Sequence, residues 1–390
     1  MLNARAIISE AEAAAGWSDS EPHLHRNLAA LVASLNGDGC LTARGSSAAH
    51  LGMVSRHTDR IAGQKWLADY PEIGDEVIEA PVFLCGLPRS GTTYFQYLFD
   101  RDRRFRLIRT WQSLMPLPPP GFDPQSVFER KAMEEERRAA LRPKLVENFA
   151  ALHLLDAGGP DECHAFLEHS GAAAGFFNLY DVPGYFAYLM AQADLAAAYR
   201  AHKRQLQLLQ WRLPKQSWAL KYPNYIIAMD AILDVYPDAR FAVTHRDPLQ
   251  ILASIAKMSL SLRTARYDSV DPHRVGRQML DFIDQHIQRL MAFDAGPNAA
   301  RAVHVDYYAL VADPGGEMAK VHAGLGLTSP DDIMSAITGW RRENPKNARG
   351  ANDYALAQFG ISCDEADERF SAYRQRFSIP REAEALAALL

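Results

Sequence analysis

The chain has 390 residues and a formal net charge of -5, and 48% of its residues are hydrophobic and 23% are charged. This composition is typical of a folded globular protein and excludes a disordered or fibrous chain. Because the charge balance gives no global positive field, we expect no nucleic-acid partner, and any anion must be bound by a local group of residues.

The cysteine spacing and the hydropathy pattern indicate the cellular compartment of the protein. The four cysteines lie far apart and show no paired spacing, which favours a reducing compartment and gives no zinc or redox signature. The N-terminus lacks the continuous apolar core of a secretion signal, and no later segment has the length of a membrane span. We therefore expect a cytoplasmic protein without a membrane span.

Residues 1–78 are expected to form a helical N-terminal extension. Leu24, Leu28, Leu31 and Leu35 repeat at intervals of three and four residues, which indicates a helix with one apolar face. The remaining residues, 79–390, are expected to form one larger domain.

Short apolar segments alternate with helical patterns in the larger domain. Strands are predicted for the apolar run before Gly86 and for three later segments, which are Trp218–Leu220, Phe241–His245 and Ala302–Val305. Alternating strands and helices predict an α/β fold with a central parallel sheet that is flanked by helices on both faces.

Three helices are also predicted in this domain. One begins at Pro160, with two acidic residues in its first turn. An aromatic-rich helical region is expected from Asp181 to about Trp211, and a helix from Ile226 to Tyr236. The aromatic segment Phe176–Met190 fits either the wall of an apolar acceptor pocket or ordinary core.

The loop Gly86–Gly91 reproduces the G-x-x-x-x-G frame of a phosphate loop, and it lies between a predicted strand and a predicted helix. The N–H groups at the start of a helix and the helix dipole favour a phosphate-type anion there. Arg89 can bind two oxygens of such an anion at once. Hydroxyl donors are supplied by Ser90, Thr92 and Thr93.

The loop departs from that of a nucleoside triphosphatase at one position. Those enzymes place a lysine directly after the second glycine, where it reaches the outer phosphates, and then a hydroxyl residue that holds magnesium. Thr92 occupies the lysine position in this chain, and the base is Arg89 instead. We therefore expect a donor that carries less charge on its outer group and needs no metal.

The segments PRSGTTYFQYLF and FAVTHRDPLQILASI together resemble the two nucleotide-binding signatures of the sulfotransferases that use 3′-phosphoadenosine 5′-phosphosulfate (PAPS). The resemblance spans roughly Pro81 to Tyr373 and is closest to the bacterial branch of that family. It implies a P-loop-containing nucleotide-binding fold with helical insertions on the acceptor side. The implied reaction transfers a sulfonyl group from PAPS to the hydroxyl of a small or lipid-like acceptor, without a metal.

The resemblance also implies which residues bind the nucleotide. The loop would hold the 5′-phosphosulfate through Arg89, Ser90, Gly91, Thr92 and Thr93. Arg246 and Ser254 would hold the 3′-phosphate, because Arg246 ends a strand and Ser254 lies two turns into the next helix. A later basic loop would cover the same phosphate through Arg349 and Gly350.

Transfer needs cations at the sulfonyl group and a base for the acceptor. Arg89 is one candidate cation, and Lys221 corresponds to a lysine that the family directs toward the sulfonyl group; a surface lysine at a strand end is the alternative. For the base we prefer Glu162, and His164 and His153 are the other candidates. An acidic residue placed in a first helical turn is the alternative role for Glu162.

Three positions depart from the family pattern. Relatives often carry glutamate where this chain has Gln112, and histidine where it has Tyr225 and Asn352. Two other hypotheses therefore remain at the sequence level. One is a P-loop kinase or nucleotide hydrolase, which would need Mg²⁺ and a lysine in the loop, and the other is a nucleotide-binding homologue without catalytic activity.

Overall fold

The computed structural model describes residues 1–141, 158–344 and 356–387. The chain divides into two compact units. The first, called the helical unit here, contains Met1–Glu79, Leu107–Ser217 and Arg266–Asp268. The second, called the sheet unit, contains Ala80–Arg106, Trp218–Ala265 and Ser269–Leu390. The division into residues 1–78 and 79–390 expected from the sequence stays a prediction.

The secondary structure follows the alternation expected for an α/β protein. The strands are β1 (Val82–Gly86), β2 (Phe105–Arg106), β3 (Ser217–Lys221), β4 (Arg240–His245) and β5 (Ala302–Asp306). The helices of the first part of the chain are α1 (Ala4–Ala15), α2 (His25–Gly37), α3 (Ala43–Asp69), α4 (Thr92–Phe99), α5 (Thr110–Leu114), α6 (Pro124–Leu141), α7 (His164–His169), α8 (Gly175–Leu179), α9 (Pro183–Ala191) and α10 (Leu195–Gln210). The later helices are α11 (Met229–Leu233), α12 (Pro248–Thr264), α13 (Pro272–Asp294), α14 (Tyr307–Ala312), α15 (Pro314–Gly324), α16 (Asp331–Glu343), α17 (Cys363–Arg376) and α18 (Glu382–Ala387).

The sheet has five strands in the order β2-β3-β1-β4-β5. β1 pairs in parallel with both β3 and β4, and β5 pairs in parallel with β4. Every residue of β1 is buried, and successive side chains of a strand point to opposite faces, so helices cover both faces of the sheet here. The predicted parallel α/β fold is confirmed.

Parallel pairing brings the carboxyl ends of the strands to one edge of the sheet. Gly86, the last residue of β1, is opposite Thr244 of β4, and His245 is opposite Asp306 of β5. Lys221, the last residue of β3, is opposite Leu84 of β1. In open α/β sheets ligands bind at this edge. The two phosphate-binding segments expected from the sequence therefore both begin there.

The helical unit contains a buried ion pair. Arg60 on α3 forms hydrogen bonds with the carboxylate of Asp19, and both side chains are buried. Burial by itself would raise the pKa of Asp19, but Arg60 and the neighbouring Gln64 and His25 lower it below its ordinary value.

The apolar face predicted for α2 is confirmed. Leu28, Leu31 and Leu35 of this helix are buried, as is Leu24 directly before it.

The helix predicted from Pro160 begins later, at His164. Pro160 instead forms an antiparallel bridge with Arg109. The N–H of Thr110 donates to the carbonyl of Gly159, and the N–H of Asp161 donates to that of Ile108. Backbone hydrogen bonds with Ile108 and Thr110 therefore hold residues 159–161 in an extended conformation, where the local sequence pattern predicted a helix.

Two other helical predictions are divided in the structure. The aromatic-rich region contains two helices, α9 and α10, and α10 starts where the side chain of Asp194 accepts the N–H of Ala197. The segment from Ile226 begins in a 3-10 helix, Pro223–Ile227, before the short α11.

Across the described ranges, helices long and apolar enough to cross a membrane do not occur.

Candidate functional site

The loop between β1 and α4 is shaped by two glycines with positive φ. Gly86 has φ 145°, and a Cβ there would lie 2.5 Å from the carbonyl oxygen of Thr244. Gly91 has φ 92°, and a Cβ there would lie 2.4 Å from Cδ2 of Tyr307. Only glycine adopts such a backbone and fits such a space without strain. The loop is thus fixed between β4 and α14, with its N–H groups at the start of α4.

The hydroxyl of Ser90 anchors the loop. Ser90 is fully buried, and its Oγ lies 2.6 Å from Oγ1 of Thr244. The Thr244 hydroxyl also donates to the carbonyl of Cys85 at 3.3 Å. The sequence predicted Ser90 as a donor to the anion, and these contacts give it a role in holding the loop against β4.

Arg89 connects the loop to the helix that follows β4. It has φ 74°, which is uncommon for a residue other than glycine. Its Nε donates to Oγ of Ser254 on α12 at 3.0 Å. Two residues that the sequence assigned to opposite ends of one nucleotide are therefore in direct contact.

Arg246 lies at the carboxyl end of β4 and closes the same site. Its Nη1 donates to the main-chain carbonyl oxygen of Arg89 at 3.1 Å. Its Nε and Nη2 donate to the two carboxylate oxygens of Glu382, at 2.8 and 2.9 Å. The guanidinium also lies over the ring of Tyr307, 4.7 Å from the ring centre.

Burial and the carboxylate act on the charge of Arg246 in opposite directions. Burial by itself lowers the pKa of the guanidinium, but the hydrogen bonds and the charge of Glu382, with Tyr307 and Tyr308, raise it above its ordinary value. Arg246 is therefore a permanent positive charge in a largely desolvated place, where an anion binds more strongly than it would in water.

Lys221 brings a second cation to this edge of the sheet. Its side chain is buried, with 1% of its surface exposed, and its Nζ donates to Oγ1 of Thr93 at 3.3 Å. Thr93 lies in the first turn of α4. The alternative reading of Lys221 as an ordinary surface lysine does not agree with this burial.

The other predicted donor-site residues are Thr92, Arg349 and Gly350. Thr92 is the first residue of α4 and is buried. Arg349 and Gly350 lie outside the described residues, as do Asn352 and His153. Their assignment stays a prediction.

The candidate bases belong to the helical unit. Glu162 and His164 lie where the extended segment turns into α7, and both are partly buried. Gln112 is buried, and its side-chain oxygen accepts the N–H of Arg109 at 2.8 Å, so it caps α5. Tyr225 belongs to the sheet unit, where its ring packs edge-on against Phe83 in the core.

Sequence reasoning missed three residues of the site, which are Thr244, Tyr307 and Glu382. Thr244 and Tyr307 had a detectable signal, because Thr244 is a polar residue near the end of a predicted strand and Tyr307 lies two residues beyond the end of another. Glu382 had none. It is more than a hundred residues from Arg246, and only the tertiary fold brings the two together.

Comparison with known proteins identifies the fold and the family. The crystal structure of sulfotransferase STF9 from Mycobacterium avium matches with a TM-score of 0.88 and 24% identity, and 98% of each chain is covered. Sulfotransferase STF1 from Mycobacterium tuberculosis H37Rv matches with a TM-score of 0.80 and 25% identity, over 95% of this chain and 99% of that one. A search of curated proteins gives no significant match.

A sequence model of the sulfotransferase family matches residues 81–331. This range is more than half of the 390-residue chain and contains β1 through β5 together with the loop Gly86–Gly91. The resemblance seen in the sequence is thus confirmed. The chain belongs to the sulfotransferase family and is an enzyme that transfers sulfuryl groups.

Proposed function

We propose that this sulfotransferase takes its sulfonyl group from PAPS and transfers it to the hydroxyl of a small or lipid-like acceptor, without a metal. The observation that supports the proposal best is the contact between Arg246 and the carbonyl oxygen of Arg89 at 3.1 Å. It joins two strand-to-helix junctions into one cationic site, which suits a donor with an anionic group at each end.

The chemistry of the donor fits the residues at this edge of the sheet. The N–H groups at the start of α4, with Arg89, Thr92 and Thr93, would hold the 5′-phosphosulfate. Arg246 and Ser254 would hold the 3′-phosphate, and we assign Arg349 and Gly350 to the same phosphate. Glycine at position 91 lets the loop backbone pass close to the ring of Tyr307, which a Cβ there would meet.

The transfer forms a bond between the acceptor oxygen and sulfur and breaks the bond between sulfur and the bridging oxygen. The electron pair leaves on adenosine 3′,5′-bisphosphate, so negative charge grows on the bridging oxygen. Lys221 and Arg89 would stabilise that charge. Glu162 would accept the proton of the acceptor hydroxyl, with His164 as the alternative base.

The cysteines support a cytoplasmic location. Cys40, Cys85, Cys163 and Cys363 are all free thiols in the structure, two of them exposed. Free exposed thiols persist in a reducing compartment. We therefore propose that the enzyme acts in the cytoplasm.

We also propose that residues 1–78 form an extension to a sulfotransferase domain of residues 79–390.

Ligand-dependent thermal stability tests the donor. Adenosine 3′,5′-bisphosphate in the presence of a chelator should raise the melting temperature, because a ligand that binds only the folded state stabilises it. Stabilisation only by ATP with Mg²⁺ would instead support a kinase or hydrolase. Incubation with sulfur-labelled PAPS and a cell extract should then give a labelled product, and binding without any product would contradict the proposed transfer.

A further inference from the structure

Arg246 already holds a carboxylate. Glu382 accepts hydrogen bonds from Nε and Nη2 of Arg246 at 2.8 and 2.9 Å, so both carboxylate oxygens face one edge of the guanidinium. This bidentate geometry is the one with which arginine also binds two oxygens of a phosphate. The carboxylate of Glu382 therefore occupies an edge of Arg246 that suits the 3′-phosphate of the donor.

Further hydrogen bonds hold Glu382 in this place. The hydroxyl of Tyr308 donates to its Oε2 at 3.2 Å. Its own N–H donates to Oδ2 of Asp247 at 2.9 Å, and Asp247 directly follows Arg246 in the chain. Only 17% of the Glu382 side chain is exposed. The carboxylate is thus a specific and largely desolvated partner of Arg246, unlike a surface glutamate that contacts an arginine by chance.

The element that carries Glu382 is a short helix with a small apolar contact. The α18 helix has six residues, and a helix that short is not stable without tertiary contacts. Its buried apolar residue is Ala385, which packs against Tyr307 and Tyr308. The ion pair with Arg246 therefore helps to hold α18 in position, together with the ion pair that Arg381, just before the helix, forms with Asp367.

The segment that leads into α18 contains a residue with positive φ and borders a cavity. Ser378 has φ 51°, a left-handed conformation that residues other than glycine seldom adopt. Phe377, Ile379 and Pro380 line a cavity of about 180 Å³, together with residues of β4 and β5. Loose packing under a connecting segment lowers the free energy needed to displace it.

We propose that Glu382 is an internal competitor of the donor, a carboxylate that occupies the edge of Arg246 to which a phosphate group would bind. The inference rests on the proposed function, since it takes Arg246 to bind the 3′-phosphate. A phosphate beside Arg246 would bring negative charge close to the Glu382 carboxylate in a poorly solvated place, where like charges repel strongly. Binding of the 3′-phosphate therefore displaces Glu382 and undocks α18.

Calorimetric titration of two matched variants tests the competition. E382Q removes the charge from α18, and E384Q removes one from an exposed position of the same helix. E382Q should bind adenosine 3′,5′-bisphosphate roughly tenfold more tightly than the wild type, because the competing charge is gone. E384Q should bind like the wild type. Adenosine 5′-monophosphate, which lacks the 3′-phosphate, should bind equally to all three proteins.

Hydrogen exchange and a truncation give a second, independent reading. Saturation with adenosine 3′,5′-bisphosphate should speed amide exchange in residues 378–390 of the wild type, and adenosine 5′-monophosphate should not. A protein truncated after Arg381 lacks α18 and should bind the bisphosphate at least as tightly as E382Q. This truncated protein replaces E382Q in the test if the E382Q variant does not fold.

The outcomes separate this inference from the proposed function. If the wild type binds the bisphosphate, and E382Q binds it equally or more weakly, Glu382 is not a competitor and the donor assignment stands. Unchanged exchange in residues 378–390 would likewise overturn the inference alone. If neither protein binds the bisphosphate, the donor assignment fails, and the competition fails with it.

Discussion

The guanidinium of Arg246 donates a hydrogen bond to the main-chain carbonyl oxygen of Arg89, although the two residues are 157 positions apart. One residue follows β4 and the other follows β1, and these two strands are neighbours in the sheet. The contact holds Arg246 next to the Gly86–Gly91 loop, and these are the two groups to which the proposed donor would bind.

Loss of the Arg246 side chain should weaken binding of the 3′-phosphate specifically. A charge-assisted hydrogen bond contributes about 1.5 to 3 kcal/mol, so R246A should bind adenosine 3′,5′-bisphosphate roughly 10- to 150-fold more weakly in a calorimetric titration. Adenosine 5′-monophosphate should bind almost unchanged. R240A is the matched control, because Arg240 lies at the opposite end of β4 and donates to the carbonyl of Gly324. Equal losses for the two nucleotides would contradict the assignment of Arg246.

The loop should not tolerate a side chain at Gly91. A Cβ would lie 2.4 Å from the ring of Tyr307 and require a left-handed backbone, so G91A should lower the free energy of unfolding by about 1 to 3 kcal/mol and also weaken bisphosphate binding. G339A is the control, since no atom of another element in the described part of the chain lies within 4 Å of the Cβ position in α16. It should be neutral or slightly stabilising in thermal unfolding. A G91A protein with unchanged stability and nucleotide affinity would be inconsistent with this geometry.

Loss of the Lys221 side chain should weaken binding of PAPS more than binding of its product, adenosine 3′,5′-bisphosphate. If its ammonium acts on the sulfonyl group, K221A should bind PAPS roughly tenfold or more weakly, since one charge-assisted bond is lost, and adenosine 3′,5′-bisphosphate almost as well as the wild type. Both affinities are measurable by calorimetry without knowledge of the acceptor. K215A is the control, because Lys215 is an exposed lysine near the start of the same strand. Equal losses of affinity for the two ligands would mean that Lys221 does not contact the sulfonyl group.

Removal of the base should reduce turnover and leave nucleotide binding intact. General bases contribute typically about 10²- to 10⁴-fold, so E162Q should form labelled product from PAPS and extract at least about a hundredfold more slowly. Its affinity for adenosine 3′,5′-bisphosphate should equal that of the wild type. H164Q is measured in parallel. A larger fall in H164Q than in E162Q would assign the base to His164 instead.

Acid should destabilise the helical unit through its buried histidines. Burial lowers the pKa of His202 to about 3, against an ordinary value of 6.5, so the unfolded state binds the extra proton between these values. The free energy of unfolding should therefore fall as pH drops from 6.5 toward 3, by at most about 1.4 kcal/mol per pH unit for this residue. H202F should flatten this slope in denaturant unfolding, whereas H23Q, at an exposed position, should not. An unchanged slope in H202F would contradict the prediction.

Much of the fold and part of the candidate site could be predicted, because their signals are local. The glycines of the loop and the apolar strands depend on backbone geometry and burial patterns within a few residues. The prediction of a helix at Pro160 was wrong for the opposite reason, because carbonyl groups of a distant segment hold that backbone extended. The division of the aromatic-rich region into α9 and α10 depends on a side-chain cap at Asp194, which the apolar pattern does not reveal.

Local sequence patterns are enough to predict that a phosphate-type loop follows one strand, that an arginine follows another, and that the fold is of the parallel α/β class. Each of these properties arises from neighbouring residues. Three other features are visible only in the folded chain: the two junctions touch, Ser90 supports the loop from within, and the last described helix places Glu382 on Arg246. Contacts between residues far apart in the chain depend on how buried surfaces pack, and no local pattern of residues records that packing.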